Sequence, residues 1–335
     1  MSSSLRRRRV LPAYALAGAL AACAGQGPVA TGFAPQVTDA AQSSTHSPVP
    51  ASTQVRIFTA NRDNKGLLAF KFGASGDARP VLKIHGSKTK LVNPNSLAVD
   101  ASGYVYTAND GATQVEVFAP GASGDVKPVR IIGGSHSQLG PTDGLFIDPS
   151  GDLWVSNDAG NAITEYAPGA QGDVTPIDTI AGSNTQLYRP LGMAMSSNGR
   201  LYVANQYSGT IAIFAAGASG NVAPVATISG SSTELSAPVA LAFDSNGRLL
   251  VADQYSGVLV FAKGASGNAA PVARITTLSR PSGVAADSQD NIWTSDFSGE
   301  SIDEFASDAN GNATPLHAIA GLKTHLYGPE YLVIH

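Results

Sequence analysis

The sequence predicts an all-β chain: a six-bladed β-propeller of four-stranded antiparallel blades, closed by the C-terminal strand pairing with the N-terminal blade. Three observations carry this expectation. First, an eight-residue phrase returns at a fixed period. It reads GASGDARP at Gly73–Pro80, GASGDVKP at Gly121–Pro128, GAQGDVTP at Gly169–Pro176, GASGNVAP at Gly217–Pro224 and GASGNAAP at Gly264–Pro271, with a weaker copy, DANGNATP, at Asp308–Pro315. Successive prolines lie 48, 48, 48, 47 and 44 residues apart, a period that signals stacked supersecondary units. Second, each period holds four short apolar runs. Third, the two ends of the repeat array are complementary halves of one unit.

The runs are strands by length and composition. In the fourth copy they are Leu191–Met195, Leu201–Asn205, Ile211–Ala215 and Val225–Ile228, rich in Val, Ile, Tyr and Phe and bounded by Gly, Asn and Ser. None is long enough for an ordinary helix. Four antiparallel strands in about 48 residues match a propeller blade. The turns between first and second strands fit as well. Asp100-Ala-Ser-Gly103, Asp148-Pro-Ser-Gly151 and Asp244-Ser-Asn-Gly247 place Asp first and Gly fourth, as a type I turn prefers. Asp287-Ser-Gln-Asp290 lacks the glycine and is expected to be looser.

Closure follows from the ends. Gln54–Ala60 and Gly66–Phe72 align with second and third strands of later copies, so the N-terminal blade lacks its first strand. Pro329–His335 aligns with first strands such as Pro94–Asp100 and has no blade of its own. Joining the two makes six blades and removes exposed sheet edges. A column of large residues, Phe58, Tyr106, Trp154, Tyr202, Leu250 and Trp293, recurs once per blade and reads as packing between sheets. Leu91, Leu139, Leu187, Leu235, Leu278 and Leu326 each stand two or three residues before a blade-opening proline and read as plugs beneath the inter-blade loops.

Residues 1–22 read as a secretory signal, with basic Arg6–Arg9 followed by mostly apolar Val10–Leu20. Leu20-Ala-Ala-Cys23 resembles a bacterial lipobox. The resemblance implies cleavage before Cys23, the only cysteine of the chain, and its diacylation. Residues 23–53 are rich in Ala, Ser, Thr, Pro, Gln and Gly and read as a flexible tether. The expected location is the bacterial cell envelope, lipid-anchored, with Ala24-Gly25 favouring the outer membrane. Loss of the four arginines leaves 17 Lys+Arg against 25 Asp+Glu, a net charge near −8. That balance argues against a nucleic-acid partner, which needs clustered cations.

Copies such as Pro238-Val-Ala-Leu-Ala-Phe-Asp244, Gly247-Arg-Leu-Leu-Val-Ala-Asp253 and Gly257-Val-Leu-Val-Phe261 resemble NHL repeats. Residues 54–335 as a whole are similar to an NHL-type six-bladed propeller. The resemblance implies the architecture and leaves activity open, because such folds include peptide- and protein-binding modules, sensor ectodomains and gluconolactonase-like lactonases and lyases.

Three sets of residues are candidates for a site. The column Asn61, Asn109, Asn157, Asn205, Asp253 and Asp296 ends the second strands and reads as local Asx-turn chemistry. The residues after the blade-opening prolines face the mouth of the central channel: Asn95, Thr142 with Asp143 inserted beside it, Leu191, Val239, Ser282 and Glu330. Glu330, Asn95 and Asp143 come from neighbouring blades and would suit Ca²⁺, a hard ion that takes oxygen ligands. Gluconolactonase-like enzymes hold a divalent ion with a similar set. The loops on that face carry Tyr188, Tyr207, Tyr255, Phe297 and Tyr327, with Arg189 and Arg280 nearby, while Asp63, Asp110, Asp143 and Asp158 lie in loops of the first three blades. This suggests a face aromatic and basic on one side, acidic on the other, of the kind that binds ligands. The histidines are scattered without metal spacing, and no nucleophile elbow or phosphate loop is present.

The sequence thus points to a non-catalytic binding module for a protein, peptide or glycan, held at a membrane by its lipid. The alternatives are a metal-dependent lactonase or lyase and a structural or adhesive surface protein. The repeated phrase itself reads as scaffold, joining third to fourth strands on the face away from the site, its Asp or Asn bonding local backbone.

Overall fold

The computed structural model describes residues 55–335. The signal peptide expected at 1–22, Cys23 and the tether at 23–53 lie outside the described residues.

Twenty-four strands form six four-stranded antiparallel sheets. Blade 1 has the order Pro329–Ile334, Arg56–Asn61, Gly66–Lys71, Leu82–His85. The other five run consecutively and open with Pro94–Val99, Thr142–Ile147, Pro190–Met195, Pro238–Phe243 and Pro281–Ala286. These first strands are innermost, and neighbouring ones touch all around the ring. In blade 4 the observed strands are Pro190–Met195, Leu201–Asn205, Thr210–Phe214 and Ala226–Ile228, within a residue of the expected runs. Among the described residues the helical elements are four three-residue 3₁₀ turns.

Closure occurs as expected. The last strand pairs with the first, Ile57 opposite Ile334 and Phe58 opposite Val333. Arg56 and His335 exchange both backbone hydrogen bonds, at 2.7 and 2.9 Å. The apolar clusters lie between neighbouring sheets: Tyr202, Ile211 and Ile213 of blade 4 pack with Leu241, Leu249 and Phe261 of blade 5. The ring column is buried in every blade. Its polar tips reach the turn aspartates. Trp293 Nε1 donates to Asp287 at 3.2 Å, and Tyr106 Oη to Asp100 at 3.2 Å. A buried ring with a satisfied polar tip is stable packing.

The repeated phrase is more than a local turn. Gly124 pairs in parallel with Ile84, on the outer strand of the preceding blade, and the same bridge recurs at Gly172, Gly220, Gly267, Gly311 and, across the closure, at Gly76 with Ile319. Each outer edge is thereby covered by the next blade. The phrase's acid or amide then bonds the neighbouring blade's loop, not its own backbone as expected. Asp125 accepts from Lys88 N at 2.7 Å, and Asp77 from Lys323 N at 2.6 Å. Gly86 sits under that carboxylate at φ 121°, where a Cβ would lie 2.5 Å from Asp125. Only glycine tolerates both the dihedral and the approach. The sixth copy explains the short period. Its preceding loop is Thr276–Arg280, five residues instead of the nine of Ser229–Ala237, and it lacks the 3₁₀ turn. Asn310, at the Ser123 position, bonds Arg274 N at 3.0 Å as Ser123 bonds Lys83 N.

The turn at Asp287–Asp290 is not loose. Asp290 takes glycine's left-handed position at φ 62°, and its carboxylate accepts from Ser245 N at 2.8 Å, Ser245 Oγ and Asn246 Nδ2 of the neighbouring blade. Bonds across the blade junction replace the glycine.

Candidate functional site

The Asn/Asp column is structural, by a route different from the one expected. Asn205 Oδ1 accepts from Tyr188 N at 3.0 Å, and its Nδ2 donates to Gln186 O at 3.1 Å. Asp253 accepts from Ser236 N and Ala237 N at 2.8 and 2.9 Å. Five of the six side chains clamp the inter-blade loop sixteen to nineteen residues upstream, and Asn61 clamps the last such loop across the closure, through His325 O and Tyr327 N. Only Asp253 and Asp296 add the local turn, through Tyr255 N, Ser256 N and Gly299 N. The clamp fixes the loops that carry Tyr188, Arg189 and Arg280.

Within that frame the second residue of each first strand faces the channel mouth. Thr142 pairs with Asn157 as Pro94 pairs with Asn109. It therefore stands at the proline position, and Asp143 is itself the mouth residue rather than an insertion. The mouth is a chamber of about 180 Å³ lined by Asn95, Asp143, Leu191, Val239, Ser282 and Glu330. Arg62, Asp110, Asp158, Arg189, Gln206, Gln254 and Arg280 reach in from the loops.

The charges interleave instead of forming an acidic half and a basic half. Arg62 Nη1 lies 2.8 Å from Glu330, and Arg62 Nε donates to Asn93 Oδ1 at 3.0 Å. Arg189 makes a two-pronged contact with buried Asp158 of the preceding blade, Nε to Oδ1 at 2.5 Å. Such forked pairs are geometrically specific. Arg280 lies over the Phe297 ring at 4.5 Å, a cation–π contact. Asp143 contacts Asn95 Nδ2. Burial raises the Asp143 carboxyl well above the usual range, reinforced by the Asp158, Asp110 and Glu330 charges. Burial also raises Glu330, against the pull of Arg62.

Tyr331 forms the floor. It is the bulged residue where the last strand's register shifts, with φ 34°. Its ring crosses the channel, and Oη donates to Val239 O on blade 5 at 2.8 Å. Gly192 of blade 4 makes room, since a Cβ there would lie 2.8 Å from Tyr331 Oη and 2.5 Å from Val239 O. Above the chamber, Tyr188, Tyr207 and Tyr255 are 52, 61 and 78% exposed. Tyr188 and Tyr207 meet edge-on at 6.0 Å, with Arg189 4.6 Å over the Tyr207 ring. Tyr327 stands apart, beside Asp63, Asn64, Glu300 and His325.

The structure thus gathers Tyr188, Tyr207 and Arg189 into one cluster, and Arg280 with Phe297 into another. Of the expected ion ligands it joins Asn95 and Asp143, while Glu330 faces Arg62. A Ca²⁺ ion held by all three would displace Arg62 and share the chamber with three guanidinium groups. As arranged, the three residues do not fit a common ion. Asn95 Oδ1 and Thr142 Oγ1 are nonetheless buried without a protein partner.

No family model matches the chain, and no curated protein does. Solved structures share the fold at low identity. A protein of unknown function from Bacteroides caccae aligns at TM-score 0.61 and 12% identity, over 84% of this chain and 99% of that one. A chain of a nidogen/laminin complex aligns at 0.59 and 13%, over 84% and 98%. A putative 6-phosphogluconolactonase from Bacteroides uniformis aligns at 0.57 and 13%, over 84% and 85%. Similarity at this level establishes the propeller and leaves function to the site.

Arg62, Gln206, Gln254 and Tyr331 belong to the chamber and were not among the expected site residues. The glutamines were detectable, because each precedes a rim tyrosine in the phrase Gln-Tyr-Ser-Gly. Tyr331 carried one signal only: it is an aromatic where Ser96, Gly144, Gly192, Ala240 and Gly283 stand in the other first strands.

Proposed function

We propose that the chain is an exported, lipid-anchored protein of the bacterial cell envelope whose propeller binds a ligand on the face described above. The observation that carries this reading is the rim: three exposed tyrosine rings on the loops of blades 4 and 5, beside a polar chamber that has a closed floor. Exposed rings on a rigid scaffold supply contact area at low entropic cost, and clamped loops hold them in place. The interleaved ion pairs leave no large single-sign field, which favours a neutral or mixed-charge protein, peptide or glycan over a polyanion. The anchoring part rests on the lipobox-like segment ending at Cys23.

The test uses the full chain on peptide and oligosaccharide arrays, followed by titration of any hit. The variant Tyr207→Ala/Tyr255→Ala is expected to lose about tenfold or more in affinity with an unchanged melting temperature. Undiminished capture by the variant sinks the reading. Labelling with a radioactive fatty acid in a bacterial host, abolished by Cys23→Ala, tests the anchor.

A metal-dependent lactonase or lyase is the second reading, and the buried, unpartnered Asn95 Oδ1 beside Asp143 favours it. Ca²⁺ or Zn²⁺ retained after dialysis and lost in Asp143→Asn, together with turnover of a lactone by the intact protein and not by that variant, would favour it over the binding module.

A further inference from the structure

Tyr331 does more than floor the polar chamber. The same ring roofs a second, separate chamber in the lower half of the channel, about 350 Å³ in volume. We propose that this lower chamber is a binding site for one uncharged apolar molecule, an alkyl chain or aryl system of about naphthalene size.

The lining comes from the lower halves of the first strands. The second residues of the six first strands face the polar chamber. Two positions further along, Leu97, Leu145, Met193, Leu241, Val284 and Leu332 are buried around the channel. Two positions beyond these, Met195, Phe243, Ala286 and Ile334 line the lower mouth and are half-buried. The chamber is therefore open at the face that carries the turns between first and second strands. Among its lining residues no side chain is charged, and the one polar side-chain group, Tyr331 Oη, is already bonded to Val239 O.

Such a space offers water few partners, and those are backbone groups. An ordered water needs two to four polar contacts, so an apolar guest entering from the lower mouth displaces only loosely held water. A cavity of about 150 Å³ lined by aliphatic side chains admits benzene, so one of about 350 Å³ has room for a bicyclic ring or a medium alkyl chain. It lies within the size range of small-ligand pockets. A charged head group would find no counter-ion within the lining, hence the uncharged class. Met193 and Met195 add adaptable surface suited to guests of differing shape. The site is independent of the tyrosine rim, because Tyr331 separates the two chambers.

The probe for the test is N-phenyl-1-naphthylamine, uncharged and fluorescent in apolar surroundings, titrated into the full chain carrying Cys23→Ala so that no acyl anchor competes. The expected result is saturable binding of one probe per chain. Met195→Trp, which fills the lower mouth from a half-buried position, is expected to weaken it about tenfold or more. Ala286→Phe does the same from another blade and serves if Met195→Trp lowers the melting temperature. Tyr207→Ala/Tyr255→Ala is expected to leave it unchanged. Displacement by 1-decanol assigns the site to alkyl chains, and displacement by 2-naphthol alone to aryl ligands. Absence of saturable binding, equal binding in both folded filling variants, or loss in the tyrosine variant would overturn the proposal.

Discussion

Arg62 Nη1 lies 2.8 Å from Glu330 Oε1, joining the first loop of the propeller to its last strand across 268 residues of sequence. The pair sits at the ring closure, beside the bulge that turns Tyr331 into the channel. Arg62→Ala leaves a mostly buried carboxylate without its cation. It is expected to cost about 1–3 kcal/mol, between the values for exposed and buried pairs. Arg62→Ala/Glu330→Gln should recover most of that loss, and a urea-unfolding cycle over the four proteins measures the coupling.

Removal of Tyr331–His335 is expected to destabilise the whole ring, because it exposes Arg56–Asn61 as a bare edge and unroofs the channel. The measurement is a thermal melt, and a truncated chain melting with the intact one would contradict closure by this strand. The milder Tyr331→Phe removes only the bond to Val239 O and should cost about 1 kcal/mol.

The inter-blade latch makes a separate prediction. Gly86→Ala places a Cβ at a positive φ and against Asp125, so strain and collision add. The expected loss is about 2 kcal/mol or more in urea unfolding. Asp125→Ala removes the carboxylate that accepts from Lys88 N and should cost less, about 1 kcal/mol. Combined with Asp125→Gly, which also removes the Cβ that would lie 2.8 Å away, Gly86→Ala should lose its collision and retain only its dihedral strain.

Glu116 provides a pH-dependent test. It is buried on blade 2, accepts from Asn109 Nδ2 at 2.8 Å and from Gln114 Nε2, and leaves Oε2 without a partner. Burial pushes its carboxyl up to about 7, against the pull of those two donors. The folded chain therefore holds this proton more tightly than the unfolded chain. The resulting stability is present below about pH 4.5, declines as pH rises towards 7, and is gone above it. Glu116→Gln mimics the protonated form. Its stability relative to wild type should improve by about 1–3 kcal/mol between pH 4.5 and pH 8, read by chemical unfolding at both.

The site was legible in part. The rim tyrosines, Arg189 and Arg280 could be placed because loops between aligned strands must emerge on one face. Asp143 was assigned to the right blade but displaced by one position, since Pro141 stands a residue earlier than the prolines of the other blades. The pairing of Arg62 with Glu330 and of Arg189 with Asp158 was not legible, because each spans a blade boundary and depends on side-chain reach.

What the sequence determined by itself is whatever a period can encode: six blades, four strands in each, the buried ring column and the split first blade. Repetition makes these visible because neighbouring units face the same packing problem and solve it with the same residue types. The tertiary structure alone decided what breaks the repeat. Asp125 is the same letter whether it bonds its own turn or the neighbouring blade, and Asp290 shows no glycine until Ser245 and Asn246 are seen to hold it. Tyr331 divides one channel into a polar and an apolar chamber only because closure brings the last strand opposite Gly192 and Val239. A unique residue at the axis of a ring meets partners from blades far away in sequence, and no local pattern records them.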